Sequence, residues 1–246
     1  MDKNLIPNIS TDSVVFGFDT KYLNILLVTR KVVHEGKEYL DWKFPGDLIR
    51  IDEDLDVSAE RILYEQTGLK DIYLKQLKAF GALDRLKRNP RDMTWLYSID
   101  HPEERVITIP YFGLVNLTKD VGFKTLLKGN AQWFPIEEIK RLNMAFDHRE
   151  IFDFALETLR NEMRNYPLAF ELLPVKFTLG QLQRIYEVIF KKELDKRNFR
   201  KKVAGLSYIV PLNEKEKGVS HRPGRLYMFS KDIYEKVNAH QFDFTL

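Results

Sequence analysis

Between Gly46 and Leu69 the chain reads GDLIRIDEDLDVSAERILYEQTGL, and Glu53, Arg61 and Glu65 stand there at a spacing that suits phosphate chemistry. Side chains three and four apart on a helix are neighbours, so Ile62, Glu65 and Gln66 would share one side of a helix. Carboxylates grouped in this way can hold a divalent cation, and a bound cation can activate a water against a phosphate. Two of the three positions lack the charge this requires. Ile62 has no donor atom for a cation, and Gln66 offers a carbonyl that is neutral. Mg²⁺ sheds its water reluctantly and needs anionic ligands, so Glu65 alone is expected to hold it poorly.

The stretch resembles the Nudix box, in family shorthand G-x5-E-x7-R-E-U-x-E-E-x-G-U with U aliphatic. Gly68 and Leu69 fit its last two positions, Arg61 its arginine, Leu63 its aliphatic position, Glu65 the first paired acid and Glu53 the early acid. Ile62 and Gln66 replace two acids, and the first glycine falls on Asp47, directly after Gly46. An ordinary amphipathic helix closed by a glycine cap at Gly68 accounts for Ile62, Leu63 and Gly68. It does not account for Pro45-Gly46, Glu53, Arg61 and Glu65 all falling in register. The resemblance therefore implies a Nudix fold without Nudix catalysis: no catalytic residues, no metal, no cofactor and no enzyme activity.

The elements that must position these residues are short and mixed. SVVFGF and LNILLVTR are β-branched, apolar and separated by the turn-like DTKY, which predicts a hairpin. WKFP, AFGALD, VITIPYFGLV and AQWFPI are further strand candidates, with one helix inside the opening stretch. A second helix begins at DHREIFDFALETLRNEM, where Asp147 and Glu150 suit a capping box. NYPLAFELLP, with two prolines, reads as a linker. Beyond it, TLGQLQRIYEVIF carries Thr178 as N-cap with Gln181 three residues on, and DKRNFRKKVAGL follows as another helix. YIVPL and RLYMF then flank a loop, and helix, turn, helix, hairpin is the outline of a winged helix.

Bulk composition agrees with a folded two-domain chain. Its 246 residues are 44% hydrophobic and 30% charged. The absence of Cys rules out disulfides, Cys-ligated zinc and a thiol nucleophile. MDKNLIPNIST has no apolar core of a signal peptide, and no apolar run approaches the length of a membrane span, so a cytoplasmic location is expected. The net charge of +3 is uneven: residues 167–246 carry 15 Lys and Arg against 9 Asp and Glu, whereas residues 1–166 carry 24 against 27. A basic C-terminal part points to a polyanion partner for that part.

FGALDR, ERVITIPYFGLV, WFPIEEI, AFDHREI and PLAFELLPVKFTLGQLQRIYEVIFKKELDKRNFRKKV together resemble the Nudix-related transcriptional regulators of bacteria, from about Ser13 to Phe229. Within them the chain looks nearest to the sugar-catabolism regulators of the arabinose/xylose type. The segment LKRNPRDMTWLYSIDHPE, residues 86–103, is longer than this family leads one to expect. The resemblance implies an α/β (α+β) Nudix-like α/β/α sandwich with a mixed sheet over residues 1–160 and a winged helix-turn-helix domain over 161–246. It also implies a homodimer on a near-palindromic double-stranded operator.

In the helix from Asp195 to about Leu206, Phe199, Val203 and Leu206 form the core face. Lys196, Arg197, Arg200 and Lys201 occupy the other side and are expected to meet DNA, since Arg reads guanine O6 and N7. Asn198 suits either adenine or the Asp195 cap. The wing adds His221, Arg222 and Arg225 around Pro223-Gly224. By their place near the family cleft, Arg30, Trp42, Phe44, Glu53, Glu65, Asp84 and Arg105 are candidates for an effector site. The family senses either a nicotinamide-nucleotide metabolite such as ADP-ribose or a sugar. With two box acids gone, a small sugar is the expectation, and a repressor of pentose-utilisation genes the expected function. An active pyrophosphohydrolase with a winged-helix tail and an ADP-ribose-responsive regulator are the alternatives, and a protein-binding adaptor is a third class.

Overall fold

The structure, a computed structural model, describes residues 4–87, 90–92, 105–118, 129–220 and 222–237. The chain divides into two compact units. The first takes it to Leu156, apart from residues 18–23 and 116–119, which group with residues 157–246 as the second.

Among the described residues the first unit is built on one mixed sheet of eight strands: β1 (Leu5–Phe18), β2 (Leu23–His34), β3 (Lys37–Lys43), β4 (Gly46–Arg50), β5 (Tyr73–Gln76), β6 (Ile107–Thr108), β7 (Tyr111–Asn116) and β8 (Ala131–Pro135). Its main path runs β3-β2-β1-β7-β5, with β4 and β6 on β1 and β8 on β2. β6 lies parallel to β1, and β4 lies antiparallel to it. The expected hairpin strands β1 and β2 are neighbours, and the Asp19 carboxylate closes their turn by accepting from the Lys21 and Tyr22 amides. AFGALD is not a strand: Phe80 makes a single bridge to Thr108, and a turn follows. β4 and β5 went unanticipated because neither is long enough to show an alternating pattern.

Register sets the later chemistry. Arg30 on β2 lies opposite Asp41 on β3, and Asp12 on β1 lies opposite Gly46 on β4. A Cβ on Gly46 would sit 2.0 Å from Asp12 Oδ1, so this glycine is required by close approach of a side chain. The box helix α1 (Leu55–Thr67) ends on Gly68 at φ 81°, the left-handed cap that glycine accepts without strain. Ser58, Ala59, Ile62, Leu63 and Thr67 are its buried face. Ile62 is therefore a core residue at 1% exposure, which explains an apolar side chain at that position.

Helix α2 (His148–Asn165) follows, and then the second unit's own elements. The segment expected as a linker is instead packed. Residues Leu168–Leu172 form a 3-10 turn with Leu168, Ala169 and Leu172 buried, and Phe170 stacks on Phe229 at 4.3 Å. Its apolar side chains outweigh the turn-favouring prolines on either side. Helix α3 (Leu179–Phe190) starts on the expected capping box, with Thr178 and Gln181 bonded reciprocally. Helix α4 (Lys196–Ala204) starts on Asp195, and strands β9 (Ile209–Lys215) and β10 (Arg225–Phe229) form the wing's hairpin. A short α5 (Lys231–Lys236) behind a Ser230 cap was not expected from the sequence. The fold class is the expected one, a Nudix-like α/β unit with a mixed sheet followed by a winged helix. Among the described residues no helix is long and apolar enough to cross a membrane.

Candidate functional site

The first unit holds a cavity of about 250 Å³, lined among others by Asp12, Arg30, Lys43, Gln66, Arg85 and Phe146. Each comes from a different place in the chain, and the sheet brings them together. Asp12 sits on β1, where its Oδ2 accepts from Thr108 Oγ1 at 2.7 Å and its Oδ1 lies 3.6 Å from His148 Nε2. His148 Nδ1 accepts from the Phe44 amide at 3.0 Å, so the ring carries its proton on Nε2, toward Asp12. Burial raises the Asp12 pKa, against the pull of Arg85, and holds that of His148 well below its usual value.

Lys43 closes the next side. Its Nζ donates to the Gly46 carbonyl at 2.7 Å, and burial lowers its pKa while Asp12 and Asp47 oppose that shift. Arg30 lies 8% exposed between two carboxylates: its Nη2 donates to Asp41 at 3.0 Å and to Asp92 at 2.5 Å. Its guanidinium also sits 4.5 Å from the centre of the Phe146 ring. Asp92 in turn accepts from the Phe146 amide at 3.1 Å, and Arg91 donates to Asp41 at 2.9 Å. The long segment after Leu86 thus supplies two members of the Arg30 network; its residues 88–89 and 93–103 lie outside the described residues. Arg85 forms a two-pronged pair with Asp147 at 2.9 and 2.8 Å, both side chains buried. The Asp147 carboxylate, expected as a helix cap, is held by that arginine.

The box itself is put to structural use. Glu53 accepts from Arg61 at 2.5 and 2.7 Å and from Ser58 Oγ at 2.9 Å, and the Arg61 bonds hold its pKa down at about 2. Glu65 lies half-exposed against Arg61 at 3.1 Å and Arg50 at 3.6 Å. Gln66 clips the start of β4: its amide donates to the Gly46 carbonyl at 3.1 Å and accepts from the Gly46 N–H at 3.2 Å. With Ile62 in the core, Gln66 bonded to backbone and both glutamates held by Arg61, the donors present do not fit the Mg²⁺ that the Nudix fold implies. Among the described residues no group of three or more His, Asp or Glu side chains is placed to hold a metal.

Gln66→Glu tests the clip. A carboxylate accepts but cannot donate, so it would remove one of the Gly46 carbonyl's two donors, leaving Lys43 Nζ, and set a negative charge against that oxygen. The loss expected in urea denaturation is about 1–2 kcal/mol. An unchanged midpoint would show that the clip contributes nothing.

Of the seven residues expected at an effector site, Arg30 lines the cavity and the other six lie outside that lining. Phe44 is fully buried behind it, stacked on His148 at 5.0 Å. Trp42 packs edge-on against Phe134 at 4.6 Å. Glu53 and Glu65 are in the arginine network just described, and Asp84 and Arg105 are exposed. The lining also holds Asp12, Lys43, Arg85, Phe146 and His148, none of them singled out from the sequence, and Asp92 joins them through Arg30. No local signal marked Asp12, which stands among Ser10, Thr11 and Ser13 ahead of the apolar run that begins at Val14.

The second unit carries the other candidate. On α4, Phe199 and Val203 are buried while Lys196, Arg197, Asn198, Arg200 and Lys201 are exposed, with no acidic residue in the helix. Leu206 lies beyond the helix and is half-buried, so the core face is shorter than expected. Asp195 accepts from the backbone N–H of Asn198 at 2.8 Å, so the cap does not use the Asn198 side chain. Arg222 and Arg225 are exposed on the wing, and with Arg200, Thr178 and Gly224 they line a groove of about 380 Å³. His221 lies outside the described residues.

Comparisons with known proteins agree with this two-part build. Residues 7–154 match the NUDIX domain, and residues 169–229 match the NrtR DNA-binding winged helix domain. A curated relative, the ADPR responsive transcriptional repressor NtrR of Acinetobacter baylyi, is 31% identical over 231 residues, 93% of this chain and 84% of the relative. The chain belongs to the NrtR-type transcriptional regulators. The branch supported is therefore the NrtR type, and the expected closeness to arabinose/xylose-type regulators is not supported. NrtR of Shewanella oneidensis, solved with a 27mer DNA, has the same fold at a TM-score of 0.73 and 24% identity, covering 96% of this chain and 97% of that one. A MutT/nudix family protein from Enterococcus faecalis follows at 0.65 and 21%, covering 92% and 89%.

Proposed function

We propose that this chain is a transcriptional repressor that binds operator DNA through α4 and the wing and leaves it when ADP-ribose enters the cavity of the first unit. The observation that carries the DNA-binding part is the face of α4: exposed Lys and Arg side chains with no acid among them, on a helix anchored by Phe199 and Val203. Such a face suits a major groove, where Arg reads base edges and Lys neutralises phosphate. Residues 1–160 are the sensor and 161–246 the DNA-binding domain. A homodimer on a near-palindromic operator follows from the small contact area of one winged helix.

The choice of effector turns on Glu65. A neutral sugar was expected because Glu65 was taken to face the ligand, where it would repel a pyrophosphate. Glu65 instead pairs with Arg61 and is not in the cavity lining, which presents Arg30, Lys43 and Arg85 beside Asp12 and Asp47. The three cations can meet a phosphorylated ligand, and the curated relative's name points to ADP-ribose. Hydrolysis is not part of the proposal, since the box offers no set of carboxylates for the metal-dependent reaction.

The test is fluorescence anisotropy on an operator selected from random DNA. Added ADP-ribose is expected to release the protein, and a panel of pentoses and hexoses to leave it bound. A complex that persists in saturating ADP-ribose, or one released by a sugar alone, overturns the effector assignment. Because a ligand shifts such an equilibrium only by its differential affinity for the two states, ADP-ribose should bind the DNA-bound protein more weakly than the unbound protein.

A further inference from the structure

Resting on the reading of α4 and the wing as a DNA surface, we propose that Glu216 determines part of its sequence preference, its carboxylate accepting a hydrogen bond from the exocyclic amino group of a G·C pair in the operator.

The observation that carries this is an acid where the surface is otherwise cationic. The groove of about 380 Å³ in the second unit is lined by Arg200, Arg222 and Arg225, and Glu216 is the one acid among the described residues of its lining. Every phosphate repels a carboxylate, so a groove that only held the DNA backbone would gain from its removal. Glu214, two residues earlier, is neutralised by Lys176 at 2.7 Å. Glu216, half-buried, forms no ion pair among the described residues, and its charge is left to the groove.

The carboxylate is also held in place. Its Oε2 accepts from the Gly224 N–H at 3.0 Å, and the Glu216 N–H donates to the Gly224 carbonyl at 3.0 Å, which ties it to the opposite side of the wing. Gly224 is there by close approach: a Cβ on it would lie 3.0 Å from Glu216 Oε2 and 3.1 Å from Thr178 Cγ2, at the start of α3. The wing's base is thus packed between the carboxylate and the N-cap of α3. Oε1 has no hydrogen-bond partner among the described residues. A single acceptor oxygen, fixed in advance, loses little freedom when a donor meets it.

DNA offers such an oxygen few partners. Phosphate oxygens and most base-edge atoms are acceptors, and the donors are exocyclic amino groups. A G·C pair turns one toward each groove, cytosine N4 in the major and guanine N2 in the minor. Adenine N6 is the remaining donor, but the N7 acceptor beside it suits an amide better than a carboxylate. Base pairs that present only acceptors would leave like partial charges facing each other.

The experiment selects an operator from random duplexes with the full-length wild type. It then compares wild type, Glu216→Ala and Glu216→Gln on that operator and on a scrambled duplex by fluorescence anisotropy. In Glu216→Gln the side-chain carbonyl can stay on the Gly224 N–H, which turns the NH₂ toward the groove and sets donor against donor. Both variants are expected to bind the operator about 10-fold more weakly. Both should bind the scrambled duplex about twofold more tightly, because one negative charge is gone. Selection repeated with either variant should lose a G·C preference at one position of each half-site. Inosine in place of that guanine removes the N2 amino group and leaves cytosine N4. Weaker wild-type binding to the inosine operator assigns the contact to guanine, and unchanged binding assigns it to cytosine.

Equal weakening of both duplexes by Glu216→Ala, with Glu216→Gln behaving as wild type, reduces Glu216 to a latch of the wing and overturns the proposal. Tighter binding of both duplexes with an unchanged selected sequence leaves only a charge effect and overturns it as well. A wild type that enriches no sequence overturns the DNA-binding reading itself, and the role of Glu216 falls with it.

Discussion

The triple variant Arg197→Ala/Arg200→Ala/Lys201→Ala will bind the selected operator about 1,000-fold more weakly than the wild type, on the basis of roughly 1–3 kcal/mol for each base contact and less for each phosphate contact. The fold should survive the change. All three side chains are exposed on α4, the buried Phe199 and Val203 are untouched, and alanine is the best helix former. The loss is then a loss of interface and not of structure, which an unchanged melting temperature would establish. Salt separates the two kinds of contact. Each phosphate contact removed lowers the slope of log affinity against log salt by about 0.9, whereas a base contact removed leaves the slope alone and relaxes sequence preference. Operator affinity within error of the wild type would remove α4 from the recognition surface.

Replacing Arg85 with leucine will lower the unfolding free energy by about 3–5 kcal/mol, the loss expected when one member of a buried ion pair is removed. Arg85 and Asp147 are 4% and 2% exposed at their side chains and meet through two parallel hydrogen bonds. Without the guanidinium, the Asp147 carboxylate stays buried with no counter-charge, next to the start of α2. The double variant Arg85→Leu/Asp147→Leu should recover much of the loss, since an apolar pair of similar volume often replaces a buried ion pair without penalty. Urea denaturation of the single and double variants measures both. A single variant within about 1 kcal/mol of the wild type would mean that Asp147 finds another partner or protonates at little cost.

What the sequence discloses follows the range of the interactions involved. The Thr178–Gln181 capping box, the Gly68 cap, the Asp195 cap and the split of α4 into core and cationic faces are all local, within about one helical turn, and all are present in the structure. The cavity is not local. His148 lies 104 residues from the Phe44 amide that fixes its tautomer, and Thr108 lies 96 residues from the Asp12 carboxyl that it meets. No spacing rule links such pairs, and only strand register brings them together. Glu53 and Glu65, expected at the effector, are the converse case. Their motif positions were legible, but the arginines that hold them, Arg61 and Arg50, were not recognised as partners. The packed turn at Leu168–Leu172 was lost to its prolines, which suggest a linker when the aromatic surface awaiting Phe170 is out of sight.

The two altered box positions also act as an evolutionary ratchet. Glutamate at position 62 would place a carboxylate where Ile62 is 1% exposed, at a cost on the order of several kcal/mol. Glutamate at position 66 could still accept from the Gly46 N–H but would lose the bond to the Gly46 carbonyl and set a charge against it. Neither change alone assembles three acids on this helix, so a first substitution toward the full box brings instability without completing the set. Natural proteins sit only slightly above the stability they need, and most lineages would lose such an intermediate. Selection for folding by itself is then enough to keep these two acids out of the helix.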